Sequence, residues 1–323
     1  MQMQGRAFYN LLRISYLEDP TVQVIPWQVE DYRSLKLETL FSSLKKLGAV
    51  LDEASFLAYA ENADSPEDLA ECICVDEEDM DRFDQIYLLL FELWRRLLPQ
   101  KQTLSTFCDE LDQLIELYDQ GKLEEEERLQ KALIDLESIL EETADLGKEP
   151  VAVFEGLCLF CAHDVGGFLY DYIFDLVESS EELAASELLD AFYPFMPDKK
   201  WFNLLRAWMV ASQDIEELNR VVERLLEELQ ETPDLDLLLE MSKFLVHRGD
   251  VRLFMQTVKQ ALELLQTEEH FQQLLHLVAE YYRCLDKDEK AQEIADLIKA
   301  RSHLDLEQPF NRSDKMCSYI FNP

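Results

Sequence analysis

Apolar residues in this chain recur at the helical period over most of its length, and little interrupts them. Leu104, Phe107, Leu111, Leu114 and Tyr118 follow one another at spacings of 3, 4, 3 and 4, and Leu129, Leu133, Leu136 and Leu140 at 4, 3 and 4. Such spacing lines one face of a helix and cannot line one face of a strand. Only 8 Gly and 10 Pro punctuate 323 residues, and β-branched residues almost never alternate over a strand's length. The expected fold class is all-α.

Boundary signals divide the chain further. Helices are expected over 4–17, ended by Asp19-Pro20, over 31–47, ended by Gly48, and over about 51–62. Ser65-Pro66-Glu67-Asp68 supplies an N-cap, a Pro at the first helical position and acids in the first turn. Asp76 to Pro99 reads as the next helix, with Phe83, Ile86, Leu90, Phe91 and Trp94 on its apolar face and Arg95 and Arg96 near its C-terminal end. The two leucine-rich stripes flank the short turn at Gly121 and predict an antiparallel hairpin that leaves Glu124–Glu127 in water. Helices near 150–162 and 167–178, broken at Gly166-Gly167, and near 180–192 follow. Tyr193-Pro194-Phe195-Met196-Pro197 is the strongest boundary signal. The expected organisation is an N-terminal helical region (1–99), an acidic helical bundle (100–197), an array of helix pairs (198–303) and a C-terminal tail (304–323).

The pairs are expected at 200–212/214–230, 234–247/250–266 and 268–284/287–301, and the turn residues Asp214, Gly249 and Asp286 stand 35 and 37 apart. In the second pair Leu238, Ser242, Leu245, Gly249, Phe254, Val258 and Ala261 occupy the large, small, apolar, turn and packing positions of a tetratricopeptide repeat. Leu275, Ala279, Tyr282, Asp286, Ala291, Ala295 and Ile298 occupy the same places in the third. These two pairs resemble tetratricopeptide repeats, with Asp286 in place of the turn glycine and Phe254 where alanine is usual. The first pair fits through Ala207, Val210 and Pro233 alone. The resemblance implies a TPR-like α-solenoid whose first helices line a concave binding surface, and it nominates Lys243, His247, His276 and Arg283 as partner-binding residues.

Charge bears on partners. Sixty-seven Asp and Glu oppose 30 Lys and Arg, a formal net charge of −37, while 48% of residues are hydrophobic, too many for a disordered acidic chain. The excess is concentrated: residues 51–200 hold 39 acids and 10 bases, whereas residues 1–50 hold 5 acids and 6 bases. Such a surface repels nucleic-acid phosphates and anionic lipid and attracts basic proteins. The start of the chain carries no basic segment followed by an apolar one, and the longest apolar run, near Ile86 to Phe91, is too short to span a bilayer. Seven cysteines, mostly inside expected helices, read as free core thiols of a cytoplasmic protein.

The chemistry-bearing strings are few. Cys158-Leu-Phe-Cys161-Ala-His163-Asp164 invites a zinc reading, but a helix puts His163 around from the two cysteines, and no second Cys/His pair has matching spacing. His163-Asp164 also echoes the metal ligands of all-helical HD-type phosphohydrolases, yet no histidine precedes residue 163 to complete their set. None of the five histidines has Glu three positions before it, which excludes the Glu-x-x-His pairs of di-iron bundles. Asp76-Glu-Glu-Asp79-Met-Asp81-Arg-Phe-Asp84 and Asp171-Tyr-Ile-Phe-Asp175 are the best magnesium-binding candidates, but basic residues to hold a diphosphate are scarce nearby and a solvated, dipole-stabilised helix start is the preferred reading of the first string. Phosphate loops, nucleophile elbows and His-Glu-x-x-His are absent from the sequence.

The leading expectation is a non-enzymatic interaction protein, an adaptor, scaffold or chaperone-like molecule without cofactor, serving a basic protein partner. The alternatives are an all-α metal-dependent enzyme using the Asp-rich helices and an acidic mimic of nucleic acid.

Overall fold

A computed structural model describes residues 3–74, 79–211, 214–248 and 250–311 of the chain. Among them are sixteen α-helices and three short 3-10 turns, with a lone β-bridge between Thr267 and Pro309. The chain divides into two compact units, one of residues 1–169 and 194–196, the other of residues 170–193 and 197–323. The Tyr193–Pro197 segment is thus shared between them. No helix among the described residues is long and apolar enough to cross a membrane.

The first unit holds α1 (Gly5–Glu18), α2 (Leu37–Lys46), α3 (Glu53–Glu61), α4 (Pro66–Ile73), α5 (Met80–Leu97), α6 (Leu104–Asp119), α7 (Glu126–Asp145), α8 (Pro150–Cys158) and the start of α9 (Val165–Glu178). Its centre is α5, in which every residue from Ile86 to Trp94 is buried, so this helix is enclosed on all sides and not on a single stripe. Helices α2 and α4 pack on it, with Leu40, Leu44, Phe56 and Leu69 in the same core. Ser65 caps α4 through the Asp68 amide at 3.1 Å, with Pro66 opening the helix. Asp79 caps α5; Asp76, Glu77 and Glu78, expected in that helix, lie outside the described residues. The hairpin forms as α6 and α7, and Leu129, Leu133, Leu136 and Leu140 are all fully buried.

Two expected helices are corrected. The helix expected over 31–47 is a 3-10 turn at Tyr32–Ser34 followed by α2. Arg96 on α5 is the reason: it donates to the carbonyls of Leu35 at 2.6 Å, Tyr32 at 3.0 Å and Arg33 at 2.7 Å. Those carbonyls face α5 and an unbroken helix would have consumed them internally. The helix expected over 150–162 ends at Cys158, and Gly166-Gly167 does not break the chain but lies in the first turn of α9. Asp164 folds over that turn to accept the Gly167 amide at 3.1 Å, and a Cβ on Gly167 would sit 2.7 Å from its carboxylate.

The second unit holds the rest of α9, then α10 (Glu182–Phe192), α11 (Lys199–Val210), α12 (Ile215–Glu231), α13 (Leu235–Arg248), α14 (Val251–Leu264), α15 (Glu268–Cys284) and α16 (Asp288–Arg301). Helices α11 with α12, α13 with α14 and α15 with α16 form three pairs; α13 packs on both α11 and α15, and α12 on α14. Small residues sit at the crossings: Ala207, Ser242, Ala261 and Ala279 are at most 1% exposed. The Ser242 hydroxyl donates to the Leu238 carbonyl at 2.8 Å, so its burial leaves no polar atom unpaired. Phe254 stacks on Tyr281 with ring centroids 3.8 Å apart, which fills the space a smaller residue would leave. Asp286 adopts φ +56°, the left-handed turn conformation that Asp tolerates better than most residues, whereas Asp214 instead caps α12 through the Glu216 and Glu217 amides. Gly249, the turn glycine of the second pair, lies outside the described residues.

The segment after α16 folds back on α15 and is not a free tail over its described length. The Glu268 and Glu269 amides donate to the carbonyls of Gln308 and Leu306, both at 3.0 Å, and Phe310 packs on Phe271. These bonds satisfy two of the amides that a helix N-terminus leaves open. Tyr319, Ile320 and Phe321, expected to dock here or on a partner, lie outside the described residues.

Candidate functional site

Lys243 and His247 lie one turn apart on α13, and His276 and Arg283 lie two turns apart on α15; all four are exposed. The packing of α13 on α15 joins the two stripes. His247 Nε2 stands 3.3 Å from Glu280 Oε1, and its Nδ1 stands 3.6 Å from Cys284 Sγ. Lys243 Nζ pairs with Glu240 of its own helix at 3.3 Å. The surface is therefore a mixed stripe, with Glu240 and Glu280 alternating with Lys243, the two histidines and Arg283. Sequence reasoning passed over both glutamates, although their spacing of three or four residues from Lys243, His276 and Arg283 is visible there. Such exposed pairs contribute only about 0–1 kcal/mol each to stability, so a partner can displace them at small cost.

The second polar constellation lies in the first unit, and of its residues sequence reasoning singled out only His163. Asp109 of α6, 3% exposed, receives Arg33 Nη2 at 2.5 Å, Arg6 Nε at 3.3 Å and Asn10 Nδ2 at 2.8 Å. Burial would raise this carboxyl, but Arg33 and Arg6 outweigh it and hold it below its ordinary value. One turn on, Asp112 accepts the amides of Ala162 and His163 and faces His163 Nδ1 at 3.0 Å. Burial works to lower the His163 pKa, yet Asp112, aided by Asp119 and Glu116, leaves it raised. These groups surround a cavity of about 20 Å³, close to the space of one water molecule and far below that of an organic substrate. The arrangement clamps α1, the Tyr32–Ser34 turn and the loop before α9 to α6.

The remaining strings resolve into structural roles. Cys161 is buried against Cys108, and that hydrogen bond together with burial keeps its thiol protonated. Burial first, and Cys161 second, push Cys158 up to about 12. Among the described residues no group of three or more His, Cys, Asp and Glu side chains is placed to hold a metal ion. Of the Asp-rich string, Asp79 caps α5 and Asp84 accepts the Tyr9 hydroxyl at 2.6 Å, while Asp171 and Asp175 belong to the other unit.

No protein-family model, curated protein or solved structure matches this chain.

Proposed function

We propose that this is a non-enzymatic protein–protein interaction protein, an adaptor, scaffold or chaperone-like molecule whose acidic surface serves a basic partner. In this reading α11–α16 form a TPR-like solenoid, and its first helices carry the binding face. One observation carries it: α13 packs between α11 and α15, so that exposed, weakly paired Lys243, His247, His276 and Arg283 fall on neighbouring first helices of successive pairs. The net charge of −37 supports a basic partner through long-range attraction, which speeds encounter and weakens with salt. Free, non-disulfide cysteines among the described residues suit a reducing cytoplasm.

The test is affinity capture from the native cell with mass spectrometry, run across a salt series with the wild-type chain and with a K243A/H247A/H276A/R283A variant. A basic protein should be captured by the wild type, released as salt rises, and lost with the variant. Capture that is indifferent to both salt and the four substitutions refutes the reading.

A further inference from the structure

A cavity of about 420 Å³, open to solvent, lies among α1, α4 and α5 of the first unit. Phe8, Tyr9, Phe83 and Tyr87 contribute aromatic rings to it, and Glu67, Glu71 and Asp84 contribute carboxylates. Two of the carboxylates are held in place by neutral donors. Tyr87 donates to Glu67 Oε1 at 2.8 Å, Ser105 donates to Glu67 Oε2 at 3.2 Å, and Tyr9 donates to Asp84 Oδ2 at 2.6 Å. Burial and the facing carboxylates raise both tyrosine pKa values, so these hydroxyls remain protonated donors.

Three other shielded carboxylates in this unit are answered by arginine, and Asp112 by backbone amides and His163. Asp109 has Arg6 and Arg33, Glu92 has Arg95 and Arg96, and Glu110 has Arg33 and Arg128. Among the described residues, no Lys or Arg pairs with Glu67, Glu71 or Asp84, and none lines the cavity. Among the described residues the cavity therefore gathers negative charge beside aromatic faces without a Lys or Arg to answer it. Its floor is kept open by Gly5 at φ +50°, where a Cβ would meet the Tyr87 hydroxyl at 2.8 Å and Glu67 Oε1 at 3.4 Å.

Rings and carboxylates together select an organic cation. A bare metal ion gains little from rings, whereas a guanidinium can lie flat on an aromatic face while its edge donates to carboxylates. We propose that this cavity receives an arginine side chain from a basic segment of the partner protein. The proposal rests on the reading of the partner as a basic protein, and it names a contact separate from the α13–α15 face. Phe8, half-exposed, and Glu71, exposed, form the accessible rim; Tyr87, Tyr9 and Glu67 form the ordered floor.

The test titrates the full chain with a capped Ser-Gly-Arg-Gly-Ser peptide, following heat and the aromatic NMR signals, alongside the same peptide carrying citrulline or lysine. Citrulline keeps the shape and removes the charge. The arginine peptide should bind saturably and shift the signals of Phe8 and Phe83, and the citrulline peptide should bind at least about tenfold more weakly. Both Glu71→Gln and Phe8→Ala should weaken arginine binding severalfold, while Glu141→Gln, an exposed acid on α7, should leave it unchanged. Should Phe8→Ala fail to fold, Glu71→Gln carries the test alone, because its side chain lies at the surface. Equal binding of citrulline, lysine binding as tight as arginine, equal weakening by Glu141→Gln, or no saturation at millimolar peptide overturns the proposal. The K243A/H247A/H276A/R283A chain should still bind the peptide. A failure of the array reading therefore leaves this result standing, and a failure here leaves the capture experiment untouched.

Discussion

Replacing Asp109 by Asn should destabilise the first unit more than most single substitutions, because it strands a buried cation. Arg6 and Asp109 are 8% and 3% exposed at their side chains, and Arg33 is 19% exposed. Arg33 retains Glu110 at 3.0 Å after the change, so the uncompensated charge falls mainly on Arg6, whose one ion-pair partner among the described residues is Asp109. Breaking a buried pair from one side costs about 3–5 kcal/mol, and the partial compensation of Arg33 points to the lower end, about 3 kcal/mol. In a unit of this size that corresponds to a fall in Tm of roughly 6–12 °C. The pH dependence tests the cause. The folded carboxyl titrates below its unfolded value, so its stabilisation is complete above the unfolded carboxylate range near about pH 4 and disappears as pH falls through the folded pKa. Calorimetry of wild type and D109N from neutral pH downward should show a constant gap that closes in acid. Pairing the change as R6M/D109L should recover much of the loss, since an apolar pair leaves no charge unanswered. A fall in Tm under about 2 °C for D109N, or a gap that persists undiminished in strong acid, would refute the account of this cluster.

Two further outcomes follow from the titrating groups. His163 is held charged by Asp112, with its folded pKa raised, so its contribution should be full below about pH 6.5 and fade as pH rises through the folded value. The Tm difference between wild type and His163→Asn, measured from pH 5.5 to 8.5, should shrink toward the alkaline end, and a difference that grows with pH contradicts the assignment. Iodoacetamide at about pH 8 should label exposed Cys72 and Cys284 well before Cys158, whose pKa is pushed up to about 12 by burial. Peptide mapping that finds Cys158 labelled as fast as Cys72 would remove that expectation.

The hairpin shows what local pattern can specify. Leu129, Leu133, Leu136 and Leu140 are spaced for one face, and that face is fully buried in α7. The three pairs of the second unit were legible for the same reason, whereas the left-handed backbone that lets Asp286 stand in for the turn glycine was not. The candidate face was legible only in part. Periodicity placed Lys243, His247, His276 and Arg283 on two helices, whereas the approach of His247 to Glu280 and Cys284 depends on how α13 meets α15. The aromatic cavity was not legible at all, since Phe8, Glu71 and Phe83 come from three helices and share no spacing.

The sequence by itself determined the all-helical class, most helix ends and the pairing of α11 to α16, because apolar period, caps and turn residues act within a few positions of one another. Tertiary structure alone decided the features that require groups distant in the chain. Arg96 draws the Tyr32, Arg33 and Leu35 carbonyls out of an otherwise plausible helix, Asp109 gathers Arg6 and Arg33, and residues 304–311 return to close the start of α15. A buried charge or an open helix end must find a partner wherever the fold brings one, and nothing in local spacing says where that will be.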